Sequence, residues 1–302
     1  MNFDISGILT RAGLITWKHK SIWGLLVLPM IVAFLPFILF FIFFFAVMTI
    51  TEGDISDTLF VILVLVFLMT FLVSTVVNYA VRSVSISAAT LGVVRAERGE
   101  GSTKFMDLLR DGLPYFWRIL GVMLVVNLTL GLVITILNLL AFLLILVTIG
   151  MASICLQPLM LLLMPFMFLV VGVLEAAQVA VIAKDMNVMD AIKHALQVVR
   201  AHVWKYVIIT LIVYFGSSIL SSFIIVPLML PVFIVPFLIG LGQEMSMQSV
   251  ALISVLFFCI FFPVMMLVSS VLGVFMKASL DLTYLRLATP VEEQVVNYQG
   301  KA

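Results

Sequence analysis

The segment from Ile119 to Ala183 reads ILGVMLVVNLTLGLVITILNLLAFLLILVTIGMASICLQPLMLLLMPFMFLVVGVLEAAQVAVIA, 65 residues between Arg118 and Lys184 with Glu175 as their one charge. A helix crosses the hydrocarbon of a bilayer with about 20 apolar residues. The run is therefore too long for one span and ample for two. The turn between them is expected at Thr148-Ile149-Gly150-Met151.

Working outward, Ile22 to Ile50 is a first apolar run and Thr58 to Val81 a second. The helix of the second run is expected to continue past Arg82, through a stretch of small residues, to about Arg98. Downstream, Tyr206 to Met276 carries Glu244 as its sole charge, enough for a fifth and a sixth span, the latter ending at Lys277. Pro227, Pro231 and Pro236 punctuate this region ahead of Gly240, Gly242 and Gln243. Proline removes a backbone donor and breaks helices, so Pro227 to Gly242 reads as a short re-entrant or interfacial segment, or as an irregular loop on the outer surface.

Composition agrees: 64% of the 302 residues are hydrophobic and 10% charged, where a soluble domain has about 45–50% and about 25%. Arg11, Lys18 and Lys20 ahead of the first run imitate a signal peptide, but that run of 29 residues far exceeds a signal core of about 7–15, and no small-residue cleavage site closes it. Cys155 and Cys259 lie within apolar runs without His or Cys neighbours and read as buried free thiols.

Charge placement sets an expected orientation. The loops at about 51–57, 148–153 and 227–247 contain no Lys or Arg, and instead carry Glu52, Asp54, Asp57 and Glu244. All sixteen basic residues fall on the other side: three before the first span, six between spans two and three, four between four and five, three after six. Basic loops stay cytoplasmic. Six spans with both termini in the cytoplasm are the expectation.

An internal repeat follows the same rhythm. Asp4 to Trp17-Lys18, Asp107 to Trp117-Arg118 and Asp190 to Trp204-Lys205 each begin with Asp and an amphipathic stretch and lead into an odd-numbered span, with Asp-to-Trp separations of 13, 10 and 14 residues. Such a helix suits the interface, its Asp near the positive helix start and Trp with a basic neighbour at headgroup level. Trp17, Lys18, Trp117, Arg118, Trp204 and Lys205 are the expected anchors. The ends of the even spans also align: Ser87-Ala-Ala to Glu97 matches Glu175-Ala-Ala to Asp185 without a gap, and Lys277-Ala-Ser to Arg286 follows more loosely. The expected fold is an all-α polytopic membrane protein, one membrane domain over 1–302. It comprises three parallel units of amphipathic helix plus transmembrane hairpin (about 1–98, 99–187 and 188–288) and a polar tail at 289–302. Parallel copies follow from two spans per unit, and the paired small residues permit close helix approach.

Ionisable groups inside spans are expensive and are functional candidates by default. Glu175 lies nine residues before Lys184, about 13 Å along a helix, and aligns with Ser87 and Lys277. If the even spans meet about a pseudo-threefold axis, Glu175 pairs with Lys277. The alternatives are that each snorkels to the interface or that the cluster lines a transport path. Asn78, Arg82 and Gln178 are further candidate members, while Asn127, Asn138 and Gln157 suit interhelical hydrogen bonds.

Enzyme signatures fail in turn. His19, His194 and His202 all lie in the basic belt, so no span supplies a His ligand for haem or zinc, and no H-E-x-x-H exists. Gly216-Ser217-Ser218 lacks the second glycine of a nucleophile elbow. No intramembrane aspartate pair, phosphate loop or dinucleotide fingerprint occurs. Neither a catalytic centre, a cofactor site nor a metal site is expected, and nucleic acid is not an expected partner.

Ala183 to Lys205, AKDMNVMDAIKHALQVVRAHVWK, has an acidic turn, an amphipathic helix and a Trp leading into a span. In this it resembles six-span prokaryotic membrane proteins of the kind found as the membrane domain of glycerophosphoryl diester phosphodiesterases. The resemblance implies a prokaryotic plasma membrane and brings no catalytic residues, because the fused catalytic domain of that family is soluble. Two functions fit the sequence: a non-enzymatic module that docks or regulates a membrane or cytoplasmic partner through its cytoplasmic helices, or a transporter or channel for a small or lipidic solute using the cluster around Glu175. A lipid-modifying enzyme has no residue constellation to support it.

Overall fold

A computed structural model describes residues 4–50, 56–99, 103–148, 150–240 and 247–288. These are helical almost throughout, with no strand among them. Three short elements, α1 (Ile5–Lys18), α4 (Phe105–Gly112) and α7 (Val188–Ala201), each precede a pair of long helices: α2 (Ser21–Ile50) and α3 (Asp57–Arg98), α5 (Phe116–Val147) and α6 (Ala152–Ala183), α8 (Val203–Gly240) and α9 (Met247–Ala288). Six helices are long and apolar enough to cross a membrane. In hydrocarbon the backbone must bond to itself, which favours unbroken helix wherever the side chains allow it.

One boundary differs from the sequence expectation. Helix α8 runs through Pro227, Pro231 and Pro236 to Gly240, so the segment after Val226 is helical and not an irregular loop up to that point; Leu241 and Gly242 lie outside the described residues. Each proline removes one backbone bond, but abandoning the helix would strand the remaining N–H groups where no water can satisfy them. Helix α9 runs on past Lys277, where the sixth apolar run ends, to Ala288, and so contains the segment Lys277 to Arg286 matched to the ends of the other even helices. The expected turn at Thr148-Ile149-Gly150-Met151 is where α5 gives way to α6, with Gly150 at φ 88°. That left-handed backbone suits glycine. Gly99 closes α3 in the same way at φ 71°. The side chains of Cys155, Gln157 and Cys259, and the acids Glu52, Asp54 and Glu244, lie outside the described residues.

Packing is cyclic. α3, α6 and α9 touch one another pairwise; α2 lies against α3 and α9, α5 against α6 and α3, and α8 against α9 and α6. The short helices follow the same rotation, with α1 on α9, α4 on α3 and α7 on α6. Each buries its fourth and eighth residues, namely Ile8 and Ala12, Leu108 and Gly112, Ala191 and Ala195. The i, i+4 spacing places both on one face, and the small residue at the second position lets the backbones approach.

The aspartates and tryptophans that head the expected units occupy different places in their helices. Asp4 is the N-cap of α1, its carboxylate accepting from Gly7 N at 2.9 Å, whereas Asp107 and Asp190 are the third residues of α4 and α7. Trp17 closes α1 before the break, while Trp117 and Trp204 are the second residues of α5 and α8. All three indoles are exposed, at 69%, 75% and 77%.

Burial is concentrated at the end of the bundle that holds the basic residues. There α3 from Ser83 to Val94, α6 from Ala176 to Ile182 and α9 from Lys277 to Tyr284 are almost wholly buried. Toward the opposite end, α3 from Asp57 to Val77 and α5 beyond Met123 present nearly every side chain at the surface. Apolar exposure of this kind is stable facing lipid. A cleft of about 560 Å³ between α2 and α3, lined by Val32, Leu35, Phe40, Val66 and Val73 among others, belongs to this loose half.

Candidate functional site: a buried charge hub on the inner helices

The small residues Ala176 and Ala177 of α6 and Ala278 and Ser279 of α9 bring these two helices close, and the polar side chains beside them meet in the gap. Lys277 Nζ lies 2.7 Å from Glu175 Oε2 and donates to Gln178 Oε1 at 2.9 Å. Asp281, one turn further along α9, holds its Oδ1 3.7 Å from the same ammonium. Side-chain exposure falls from 19% at Glu175 to 6% at Lys277 and 0% at Asp281. The hub is thus sealed progressively toward the basic end.

Of the candidates drawn from sequence, the fold brings together Glu175, Gln178 and Lys277. Ser87 is buried but its hydroxyl donates to Val84 O within α3. Asn78 turns to α2, its amide donating to Pro29 O at 2.7 Å. Arg82 is exposed and has no hydrogen bond or ion pair among the described residues. Asn138, expected to bond between helices, donates to Ile134 O one turn back in α5. Arg118 pairs with Asp185 at the rim, and Lys18 and Lys205 lie at the ends of α1 and the start of α8.

Asp281 was absent from the sequence candidates. Its signal was the i, i+4 spacing from Lys277, which places the two on one helix face. Neither carboxylate oxygen makes a hydrogen bond, and the buried hydroxyls of Tyr206 and Tyr284 are likewise unpaired. Tyr206 enters from α8 against Gly172, where an added Cβ would stand 3.0 Å from its ring, and lies within electrostatic reach of Asp281 and Tyr284. Two carboxyl groups therefore share one ammonium in a dry setting, where an unpaired charge is costly.

At the outer edge of the hub His194 of α7 packs edge-on against Tyr284, with ring centroids 6.1 Å apart. Lys184 Nζ approaches its Nε2 at 3.0 Å. Burial first, and the Lys184 charge second, hold this imidazole below its usual value of 6.5. The folded protein binds the proton more weakly than the unfolded chain, so stability rises with pH through this window and is lost as pH falls below about 6.5. A His194→Gln variant should show a flatter dependence of unfolding temperature on pH between about 5 and 7. Identical slopes in variant and parent would refute the assignment.

The rim ion pairs are a contrasting case. Arg118 and Asp185 are 36% and 73% exposed, and exposed pairs contribute about 0–1 kcal/mol. Asp185→Asn should shift the unfolding midpoint by no more than about 1 kcal/mol equivalent, as measured by thermal denaturation in detergent.

Taken together, all-helical architecture and six spanning helices define a multi-pass integral membrane protein. No family model matches the chain, and neither a characterised protein nor a solved structure matches it.

Proposed function

We propose that the chain is a non-enzymatic membrane module that docks or regulates a partner protein at its basic face. On this reading it consists of three parallel repeats, α1–α3, α4–α6 and α7–α9, around a pseudo-threefold axis, with both termini on the cytoplasmic side of a prokaryotic plasma membrane. The cyclic packing supports the repeat, since each short helix leans on the second long helix of the preceding unit. The distribution of all sixteen basic residues supports the orientation, and the likeness of Ala183 to Lys205 to phosphodiesterase membrane domains supports the setting.

The observation that carries the functional reading is that the charged cluster between α6 and α9 is buried in a closed hub. Lys277, Gln178 and Asp281 are 6%, 1% and 0% exposed, and α1, α4 and α7 cover the end of the bundle around them. A channel needs a continuous polar route, and the burial of this cluster supports the docking reading over one. The short helices bury Ile8, Leu108 and Ala191 against the bundle, so a partner would meet their outward faces, including Lys193 of α7 and Arg110 of α4.

Purification in mild detergent after in-cell crosslinking should recover one protein in stoichiometric amount, and charge reversal at Lys193 and Arg110 should reduce its recovery at least tenfold. Recovery of the bare chain, with solute flux in proteoliposomes, would instead establish the alternative, a transporter for a small or lipidic solute. Orientation is read separately: in a cysteine-free background a thiol at Lys104 should react only with reagents on the cytoplasmic side, and a thiol at Gly150 only with those outside.

A further inference from the structure

Arg82 stands apart from the hub. It shares one face of α3 with Ile86, Ala89 and Val93, at spacings of four, seven and eleven residues. Those three are 9%, 0% and 0% exposed. Ile86 packs in a cluster with Ala176 and Ala177 of α6, and Ala89 and Val93 in one with Val274 and Ala278 of α9. The face is therefore the one turned to the other inner helices. One turn further from the basic end it opens: Arg82 is exposed, and Tyr79 next along is 36% exposed.

The guanidinium at this opening has no ion pair and no hydrogen bond among the described residues. Arg82 follows directly on the apolar run Thr58 to Val81 and stands twenty-five residues from Asp57, about 38 Å along the axis, which is headgroup depth for a hydrocarbon layer of about 30 Å. There guanidinium is the side chain best matched to a phosphate by its bidentate donors.

We propose that Arg82 binds the phosphate of an anionic phospholipid whose acyl chains lie in the loosely packed half of the bundle. The apolar surroundings select a lipid source over free phosphate: α3 from Phe60 to Val77 presents Phe, Leu, Val and Met side chains on nearly every side, and a hydrated ion gains nothing there. The site goes beyond the docking reading and stands whether or not a partner protein is found.

The test uses the full chain in detergent. Thermal unfolding is followed while dioctanoyl phosphatidylglycerol, dioctanoylglycerol or inorganic phosphate is titrated in. A ligand that binds only the folded state raises the midpoint with concentration. Phosphatidylglycerol should stabilise the parent, dioctanoylglycerol should not, and Arg82→Gln should weaken the response at least tenfold, with Arg82→Lys intermediate because it keeps the charge but loses the fork. Equal stabilisation by dioctanoylglycerol, or by inorganic phosphate alone, overturns the lipid headgroup assignment on the parent protein without any variant. So does an unchanged response in Arg82→Gln.

Discussion

Lys277→Met should lower stability more than any other single substitution in the hub, by about 3–5 kcal/mol, the cost of removing one partner from a buried ion pair. The ammonium serves Glu175 at 2.7 Å, Gln178 at 2.9 Å and Asp281 at 3.7 Å, and its loss leaves two carboxyl groups facing each other without a cation. The converse changes are milder. Glu175→Gln leaves Lys277 beside Asp281 and should cost about 1–3 kcal/mol. Asp281→Asn removes the surplus carboxylate and should be near neutral. Unfolding midpoints in detergent, read from tryptophan fluorescence, give the order directly. If Asp281→Asn proved as damaging as Lys277→Met, the shared-ammonium description would be wrong.

The third member also decides what charge reversal does. Were Glu175 and Lys277 an isolated pair, exchanging them would restore what either single reversal destroys. With Asp281 fully buried four residues beyond position 277, a glutamate placed at 277 meets a like charge on the same helix face. The double reversal should therefore remain unstable, and adding Asp281→Asn should restore it. Full rescue by the double exchange alone would show that Asp281 is electrostatically uncoupled from the pair.

Gly112→Leu should be the most damaging change among the small residues. An added Cβ at Gly112 would lie 2.9 Å from both the N and Cα atoms of Ala88, and backbone atoms of a packed helix do not yield. Alanine there should cost about 1–3 kcal/mol, the usual range for overpacking. Leucine should lever α4 from α3 altogether, exposing Leu108 and increasing proteolysis around Phe105–Gly112 as well as lowering the midpoint. Gly131 is the control, with nothing within 4 Å of its would-be Cβ. Gly131→Ala should be neutral or stabilising by up to about 1 kcal/mol through helix propensity alone. Equal effects at the two glycines would remove close packing as the explanation.

Much of the architecture was legible in residue order. The six spans, the turn at Thr148 to Met151 and the continuation of α3 to Arg98 all follow from hydropathy and length, which are sums over neighbouring residues. The meeting of Glu175 with Lys277 was reachable because the looser match of Lys277-Ala-Ser to Glu175-Ala-Ala put both in one layer. The prolines of α8 misled because their local preference for breaking a helix was weighed without the larger cost of unpaired backbone in hydrocarbon. The three tryptophans suggested one register and the buried i, i+4 pairs another, because an exposed anchor tolerates a shift of several residues and a packed small residue does not.

The sequence by itself determined that this is a helical membrane protein of six spans, since burying so many apolar residues in water is impossible and the length of each run matches a bilayer. Tertiary structure alone decided which polar groups act together. It brought Asp281 to Lys277, turned Asn78 to Pro29 and left Arg82 exposed, without an ion pair or hydrogen bond among the described residues. Those outcomes depend on the rotation of each helix about its own axis and on which neighbour faces it, and neither quantity is written in the hydropathy of a single run.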